Sequence, residues 1–179
     1  MKNFNYLLAV IVFAVASCGT PKTYFSTDIR NRIEGEGIPL TKLQYYVDRD
    51  IELRRELVTG ETKVASGVIK FENGKNVNII TLKKNTPGVC TSTYPDKLLI
   101  SFDTGNDKFL TFGKTKSAGL NDPYRILAND WVDDYGVIMY EGKKYYILPS
   151  GNSASIQVKT KVLNNNNIDK REMKGRKVE

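Results

Sequence analysis

The chain has 179 residues, of which 40% are hydrophobic and 10% aromatic, enough for one globular domain with an apolar core. It contains no histidine, which excludes Ser-His-Asp and Cys-His catalysis and the usual zinc sites. Its formal charge is +7. Seven basic and three acidic residues lie from Lys159 onward, so the basic character belongs mainly to the C-terminus.

The N-terminus carries the pattern of an export signal. The charges of the amino terminus and Lys2 precede an unbroken apolar run, Leu7–Ala16. This run is about half of the roughly 20 residues that a membrane-spanning helix needs, which is typical of a secretory leader. The next residues, Val15-Ala16-Ser17-Cys18, resemble the lipobox of bacterial lipoproteins, with a branched apolar residue and two small residues before a cysteine. The alternative is a plain signal peptide that ends near a cysteine.

The resemblance implies that residues 1–17 are a signal peptide and that Cys18 becomes the lipidated N-terminus. In that family the thiol receives a diacylglycerol, and the new amine often receives a further fatty acid such as palmitate. Two or more chains make a stable anchor, because each buried methylene contributes about 0.8 kcal/mol. No acidic residue follows Cys18 directly. The resemblance therefore implies the periplasmic face of the outer membrane, and a nucleic acid partner is not expected.

Composition divides the remainder of the chain into three parts. Residues 18–39 are rich in Gly, Pro and polar residues and are predicted to be a tether. Residues 40–163 are predicted to form the folded domain. Residues 164–179 are predicted to be a basic, disordered tail, although their charge also suits an anionic lipid or polysaccharide.

Alternating apolar and polar residues predict strands from Thr41 onward. Residues 50–57 also suit a helix, since Glu and Arg are good helix formers, but their alternation favours a strand. Asn73-Gly74 predicts a tight turn between two strands, and Glu141-Gly142-Lys143 predicts a second hairpin turn. Further strands are predicted over 43–47, 64–71, 77–82, 89–93, 98–102, 109–112, 137–140, 144–148 and 155–162.

The link over residues 113–134 is predicted to be polar and irregular, with one helical turn near residues 124–128. Short strands about ten residues apart, with Gly and Asn turns, indicate an all-β fold. We therefore predict a single domain built as an antiparallel β-sandwich or a small β-barrel. The sequence does not separate these two.

Two motifs have a catalytic and a structural interpretation. Asp103-Thr104-Gly105 matches the short signature of aspartic proteases, but Asn106-Asp107 follows where those enzymes have Ala or Ser. A hairpin turn is the favoured interpretation. Cys90 has no second cysteine to pair with if Cys18 is lipidated, and its position in a predicted strand favours a buried, inert thiol over a nucleophile. We predict that the chain is not an enzyme and needs no cofactor or metal.

A candidate ligand site lies in the acidic, aromatic segment 130–136. Aromatic faces beside carboxylate oxygens suit a sugar, and clustered carboxylates also suit calcium, but the spacing does not match an EF-hand. The alternative is an acidic loop whose tryptophan closes the end of the core. The candidate residues are Asp130, Trp131, Asp133, Asp134 and Tyr135.

Paired tyrosines at 45–46 and 145–146 fall on predicted strands, so one of each pair is expected in the core and the other outside. The stretch 140–146 and the basic segment 174–178 resemble small uncharacterised lipoproteins of the Bacteroidetes type, a likeness that implies no activity. We predict a lipid-anchored, non-catalytic envelope protein, either an adaptor or assembly component that docks through a sheet edge or a tyrosine face, or a module that binds glycan or peptidoglycan at Trp131.

Overall fold

The computed structural model describes residues 20–164, except 59 and 62, and the side chain of Asn164 is also not described. The predicted signal peptide, Cys18 and residues 165–179 of the predicted tail lie outside the described residues. Within residues 20–164 the chain forms two antiparallel sheets, two short α-helices and two 3-10 helices, Leu40–Lys42 and Pro149–Gly151. None of these helices is long and apolar enough to cross a membrane.

The first sheet contains seven strands, in the spatial order β1-β13-β2-β6-β7-β8-β9. Buried and outward-facing residues alternate along most of these strands, which is why the sequence pattern has a period of two. The strands are β1 (Lys22–Tyr24), β2 (Gln44–Val47), β6 (Pro87–Thr93), β7 (Lys97–Ser101), β8 (Leu110–Gly113), β9 (Arg125–Ile126) and β13 (Ile156–Lys159).

The second sheet contains six strands, in the order β10-β11-β12-β3-β5-β4. It is assembled from hairpins, with β3 and β12 pairing at its centre. The strands are β3 (Ile51–Glu56), β4 (Val68–Glu72), β5 (Lys75–Leu82), β10 (Asp130–Val132), β11 (Tyr135–Tyr140) and β12 (Lys143–Ile147).

The two sheets enclose one apolar core. Of the two predicted alternatives, the fold is therefore the antiparallel β-sandwich. Core residues come from both sheets, including Tyr45 and Ile100 from the first and Leu53 and Ile147 from the second. The first sheet is strongly curled, and its last strand approaches β13 through a single bridge between Arg125 and Ser155. One bridge does not close the ladder into a barrel.

The prediction of a tether over residues 18–39 is wrong for residues 22–39. β1 pairs with β13, and the helix α1 (Thr27–Gly35) follows it directly. Phe25 and Ile33 are fully buried, and Ile29 is 9% exposed. Ser26 caps the start of the helix, because its Oγ accepts a hydrogen bond from the N–H of Ile29 at 3.3 Å. The high Gly and Pro content of this segment concealed a short amphipathic helix.

Arg30 fixes α1 to the turn between β6 and β7. Its Nη1 donates to the carbonyl oxygens of Tyr94 at 2.6 Å and Pro95 at 3.1 Å. Its guanidinium also pairs with Glu34, one helical turn further on, at 3.1 Å. The folded domain therefore includes the segment that the composition assigned to a linker.

The link over residues 113–134 is also more ordered than predicted. In place of a helical turn near 124–128 it contains β9, and β10 follows at its end. Tyr124 is fully buried, which gives this segment an anchor in the core. The final strand ends at Lys159, and a short helix, α2 (Lys161–Asn164), replaces the rest of the predicted strand.

Most predicted hairpins are confirmed. Asn73 and Gly74 both have positive φ, at 49° and 77°, as a tight two-residue turn requires. Glu141 and Gly142 form the equivalent turn between β11 and β12, with φ of 53° and 70°. Residues 51–56 form a strand and not the competing helix.

Candidate functional site

The predicted ligand segment forms an exposed edge hairpin. Its first strand, β10, lies at the edge of the second sheet and pairs only with β11. Trp131 and Tyr135 are 47% and 43% exposed, and the turn between the strands has Asp133 at φ 51°. All five predicted residues, Asp130, Trp131, Asp133, Asp134 and Tyr135, are exposed.

The register of this hairpin places its two aromatic residues on opposite faces. Val132 lies directly opposite Tyr135, whereas Trp131 lies opposite Gly136. Since directly opposed residues share a face and neighbours alternate, the two rings cannot stack on one sugar together. A β-carbon at position 136 would lie 3.4 Å from Cη2 of Trp131, so the missing side chain leaves room for the indole ring. Trp131 thus rests partly on the edge of the core.

A broad groove crosses the second sheet, and Tyr135 is the one predicted site residue that lines it. Its volume is about 1300 Å³, above the range of many small-molecule pockets. Tyr146 adds a second aromatic ring, and the ammonium of Lys144 lies 5.1 Å from the centre of that ring. Aromatic rings with nearby charged donors are suited to holding a sugar or another polar, flat ligand.

Ion pairs hold most of the charged side chains that line this groove. Arg55 binds Glu61 through two parallel contacts of 2.8 Å, and Lys143 approaches the same carboxylate at 2.8 Å. The hydrogen bond from Arg55, with that from Lys143, lowers the pKa of Glu61 to about 2. Arg54 is held at 2.9 Å by Glu72. The groove is therefore internally neutralised to a large extent, and Glu61, which stays ionised, is unsuited to act as a proton-transfer group at neutral pH.

The strand β4 forms the opposite edge of the second sheet and is unusually apolar for an exposed edge. It pairs with β5 on one side only. Val68 is 55% exposed and Phe71 is 73% exposed, while Ile69 is 37% exposed. Lys70 lies between them and makes no ion pair within the described part of the chain. An open edge of this kind is a template for pairing with another strand.

Ser66, just before β4, lies beside a lysine in an arrangement that resembles a Ser-Lys dyad. Lys108 Nζ donates to Ser66 Oγ at 2.9 Å, and Ser66 in turn donates to the carboxylate of Glu141. Lys108 also pairs with Asp103 at 2.7 Å, and this hydrogen bond raises the pKa of Lys108. A dyad lysine acts as a base only in its neutral form, so the cluster is suited to joining three loops and not to activating a nucleophile.

Asp103 and Cys90 have the structural roles that the sequence favoured. Asp103 lies in the loop between β7 and β8, and the hydrogen bond from Lys108 lowers its pKa. In an aspartic protease, two carboxylates share one proton, which raises the pKa of one of them. Cys90 is 5% exposed, and its Sγ lies 3.3 Å from the carbonyl oxygen of Ser92. Burial raises the pKa of the Cys90 thiol.

The paired tyrosines divide as predicted. Tyr45 and Tyr145 are buried, whereas Tyr46 and Tyr146 are partly exposed on the outer faces of the two sheets. Within the described residues, no three carboxylate or thiol side chains are grouped as a metal site would need. Sequence reasoning did not find the β4 edge or the groove, because both depend on which strands become neighbours.

Comparison with known protein families, with curated proteins and with solved structures finds no match to this chain.

Proposed function

We propose that this chain is a non-catalytic protein of the bacterial cell envelope, anchored by lipid on Cys18, that acts as an adaptor through the open edge of β4. The lipobox pattern supports the anchor. The observation that supports the adaptor role is the edge itself, where apolar side chains stay exposed on a strand that pairs on one side only. A stable monomer gains nothing from this exposure, and exposed apolar patches commonly mark interaction sites.

The partner that fits β4 is an extended protein segment with apolar residues and at least one acidic residue. Main-chain hydrogen bonds to an added strand supply affinity, and the side chains supply specificity. Lys70 would face the acidic residue, which also explains why a second copy of β4 is a poor partner. In an antiparallel self-pairing centred on this residue, two lysines would lie directly opposite each other.

Site-specific crosslinking in the native envelope tests the adaptor proposal. A photoreactive residue in place of Phe71 is expected to give a discrete protein adduct, and the same residue at Met139, which is 50% exposed on β11, is expected to give none. The substitution Lys70→Glu should reduce the adduct at least fivefold, because it places like charges across the new strand pair. Lys144→Glu, on β12, serves as the matched control.

Equal adducts from positions 71 and 139, or an adduct unaffected by Lys70→Glu, would overturn the proposal. Circular dichroism of each variant separates loss of docking from loss of folding.

A glycan-binding role is the second candidate, and the groove that contains Tyr135 favours it. Soluble peptidoglycan fragments are expected to bind with an affinity that falls about fivefold in Tyr135→Ala, since stacking on an aromatic ring contributes on the order of 1 kcal/mol. Trp131→Ala is the matched control, because the indole lies on the opposite face. A loss confined to Trp131→Ala would place the ligand at the edge hairpin, and no binding to the wild-type protein would end this candidate.

A further inference from the structure

The strands of the first sheet contain no acidic residue. Their sequences carry four cations, Lys22, Lys97, Arg125 and Lys159. Lys97, Arg125 and Lys159 alternate with buried neighbours and so face outward, and Lys22 lies directly opposite Lys159 on the same face. The strands of the second sheet, by contrast, carry six basic and four acidic residues, a net charge of +2 against +4 for the first sheet. The acidic residues are Glu52, Glu56, Glu72 and Asp130. The outer face of the first sheet is therefore the more cationic side of the strand framework.

Two of these cations are held together at one point. Lys22 on β1 lies directly opposite Lys159 on β13. Both ammonium groups lie over the ring of Tyr46, at 4.4 and 5.8 Å from its centre. Like charges placed directly opposite each other are destabilising, and the Tyr46 ring and the 2.8 Å contact from Lys22 to Asn85 Oδ1 act against this repulsion. Neither lysine makes an ion pair within residues 20–164, so an external anion would relieve the repulsion.

The short distance in sequence between Lys22 and the proposed lipid anchor at Cys18 indicates that this anion is a lipid headgroup. Cys18 precedes Lys22 by four residues, a distance that a fully extended chain spans in at most about 14 Å. β13 ends beside the same strand, since the N–H of Thr160 donates to the carbonyl oxygen of Pro21 at 2.9 Å, and α2 then follows beside α1. The proposed anchor is thus connected to the β1 edge of the first sheet.

The aromatic residues on this face suit a membrane surface as well. Tyr24 is 46% exposed on β1, and Tyr46 is partly exposed on β2. Tyrosine is enriched at the level of lipid headgroups, where an apolar ring with a polar end is favoured. Each lysine near an anionic bilayer adds about 1 kcal/mol of electrostatic attraction.

We propose that the outer face of β1, β13 and β2 lies against anionic phospholipid headgroups, with phosphate groups between Lys22 and Lys159. This inference rests on the proposed lipidation of Cys18, which holds the face within reach of the bilayer. The second sheet, with β4 and the groove, is then directed away from the lipid and open to a partner.

Site-resolved amine labelling of the lipidated protein tests this orientation. The protein is reconstituted into vesicles of phosphatidylcholine alone or with phosphatidylglycerol, and each lysine's reaction rate is measured by mass spectrometry. Lys22 and Lys159 are expected to react about tenfold more slowly on the anionic vesicles, whereas Lys70 and Lys144 should react equally on both. The protection should weaken at high salt.

The single variants Lys22→Glu and Lys159→Glu each keep one lysine of the pair as the reporter, and in each the remaining lysine is expected to lose most of its protection on the anionic vesicles. Each variant should lower the docking equilibrium roughly 30-fold, because reversing one charge removes about 1 kcal/mol of attraction and adds about as much repulsion. The matched control is Lys70→Glu on the second sheet, which should leave the protection of both lysines unchanged.

Two failures can be told apart. If Cys18 carries lipid but Lys22 and Lys159 react equally on both vesicles, the orientation is wrong and the anchor stands. If the protein isolated from cells carries no lipid on Cys18, the anchor and the orientation are both overturned.

Discussion

The substitution Phe25→Ala should lower the free energy of unfolding by about 4 kcal/mol, within the range for removing a buried aromatic side chain. Phe25 is fully buried, and its ring packs edge-to-face against Tyr45 and Tyr124, with centroid distances of 5.4 and 5.1 Å. The cavity would lie where β1 leads into α1, so both elements should loosen together. Urea denaturation of the wild type and the variant, followed by circular dichroism, measures the loss.

The neighbouring residue provides the control for this prediction. Tyr24 is 46% exposed, and Tyr24→Ala should cost less than about 1 kcal/mol, as surface substitutions usually do. The comparison also decides between two descriptions of residues 22–39. If this segment were a tether, Phe25→Ala would be as mild as Tyr24→Ala, and β1 and α1 would not belong to the domain.

The sequence was most informative where short-range chemistry determines structure. Asn73-Gly74 and Glu141-Gly142 define two hairpins, because only a few residues accept the positive φ that tight turns need. The alternation over 51–56 predicted a strand despite its helix-forming Glu and Arg residues. Burial of one face of the second sheet outweighs that local preference.

The N-terminal helix was missed because its apolar signal is sparse. Only Phe25, Ile29 and Ile33 carry it, and the last two are one helical turn apart, as an amphipathic helix requires. The strand β9 was missed for a related reason, since two residues are too few to show a period. The position of β9 depends on strands that are far away in the sequence, and no local sequence pattern predicts which strands those are.

The candidate surfaces depend on topology more than on motifs. The edge position of β4 follows from the strand order, and the separation of Trp131 from Tyr135 follows from the hairpin register. The acid-free face of the first sheet becomes visible only when strands from distant parts of the chain are assigned to one sheet. The sequence singled out the segment 130–135 as acidic and aromatic, but it could not show that the segment is an edge hairpin or which of its side chains share a face.

The substitution Asn78→Leu should destabilise the domain by about 3 kcal/mol. Asn78 is fully buried on β5, where its Oδ1 accepts a hydrogen bond from the hydroxyl of Tyr145 at 2.5 Å. Its Nδ2 donates to the carbonyl oxygen of Ser66 at 2.9 Å. Leucine has a similar size but leaves both partners without a hydrogen bond, and each buried polar group left unpaired costs about 1–3 kcal/mol.

A double-mutant cycle with Tyr145→Phe measures the central bond of this network. Tyr145→Phe alone should cost about 1.5 kcal/mol, because Asn78 Oδ1 then remains buried and unpaired. The double variant should lose about 1 kcal/mol less than the sum of the single losses, since leucine and phenylalanine leave no unpaired group between them. Additive losses in urea denaturation would show that the two side chains do not bond to each other. Because Asn78 also holds the carbonyl group just before β4, only the variants that remove its amide should speed hydrogen exchange in that strand, whereas Tyr145→Phe should leave the exchange there unchanged.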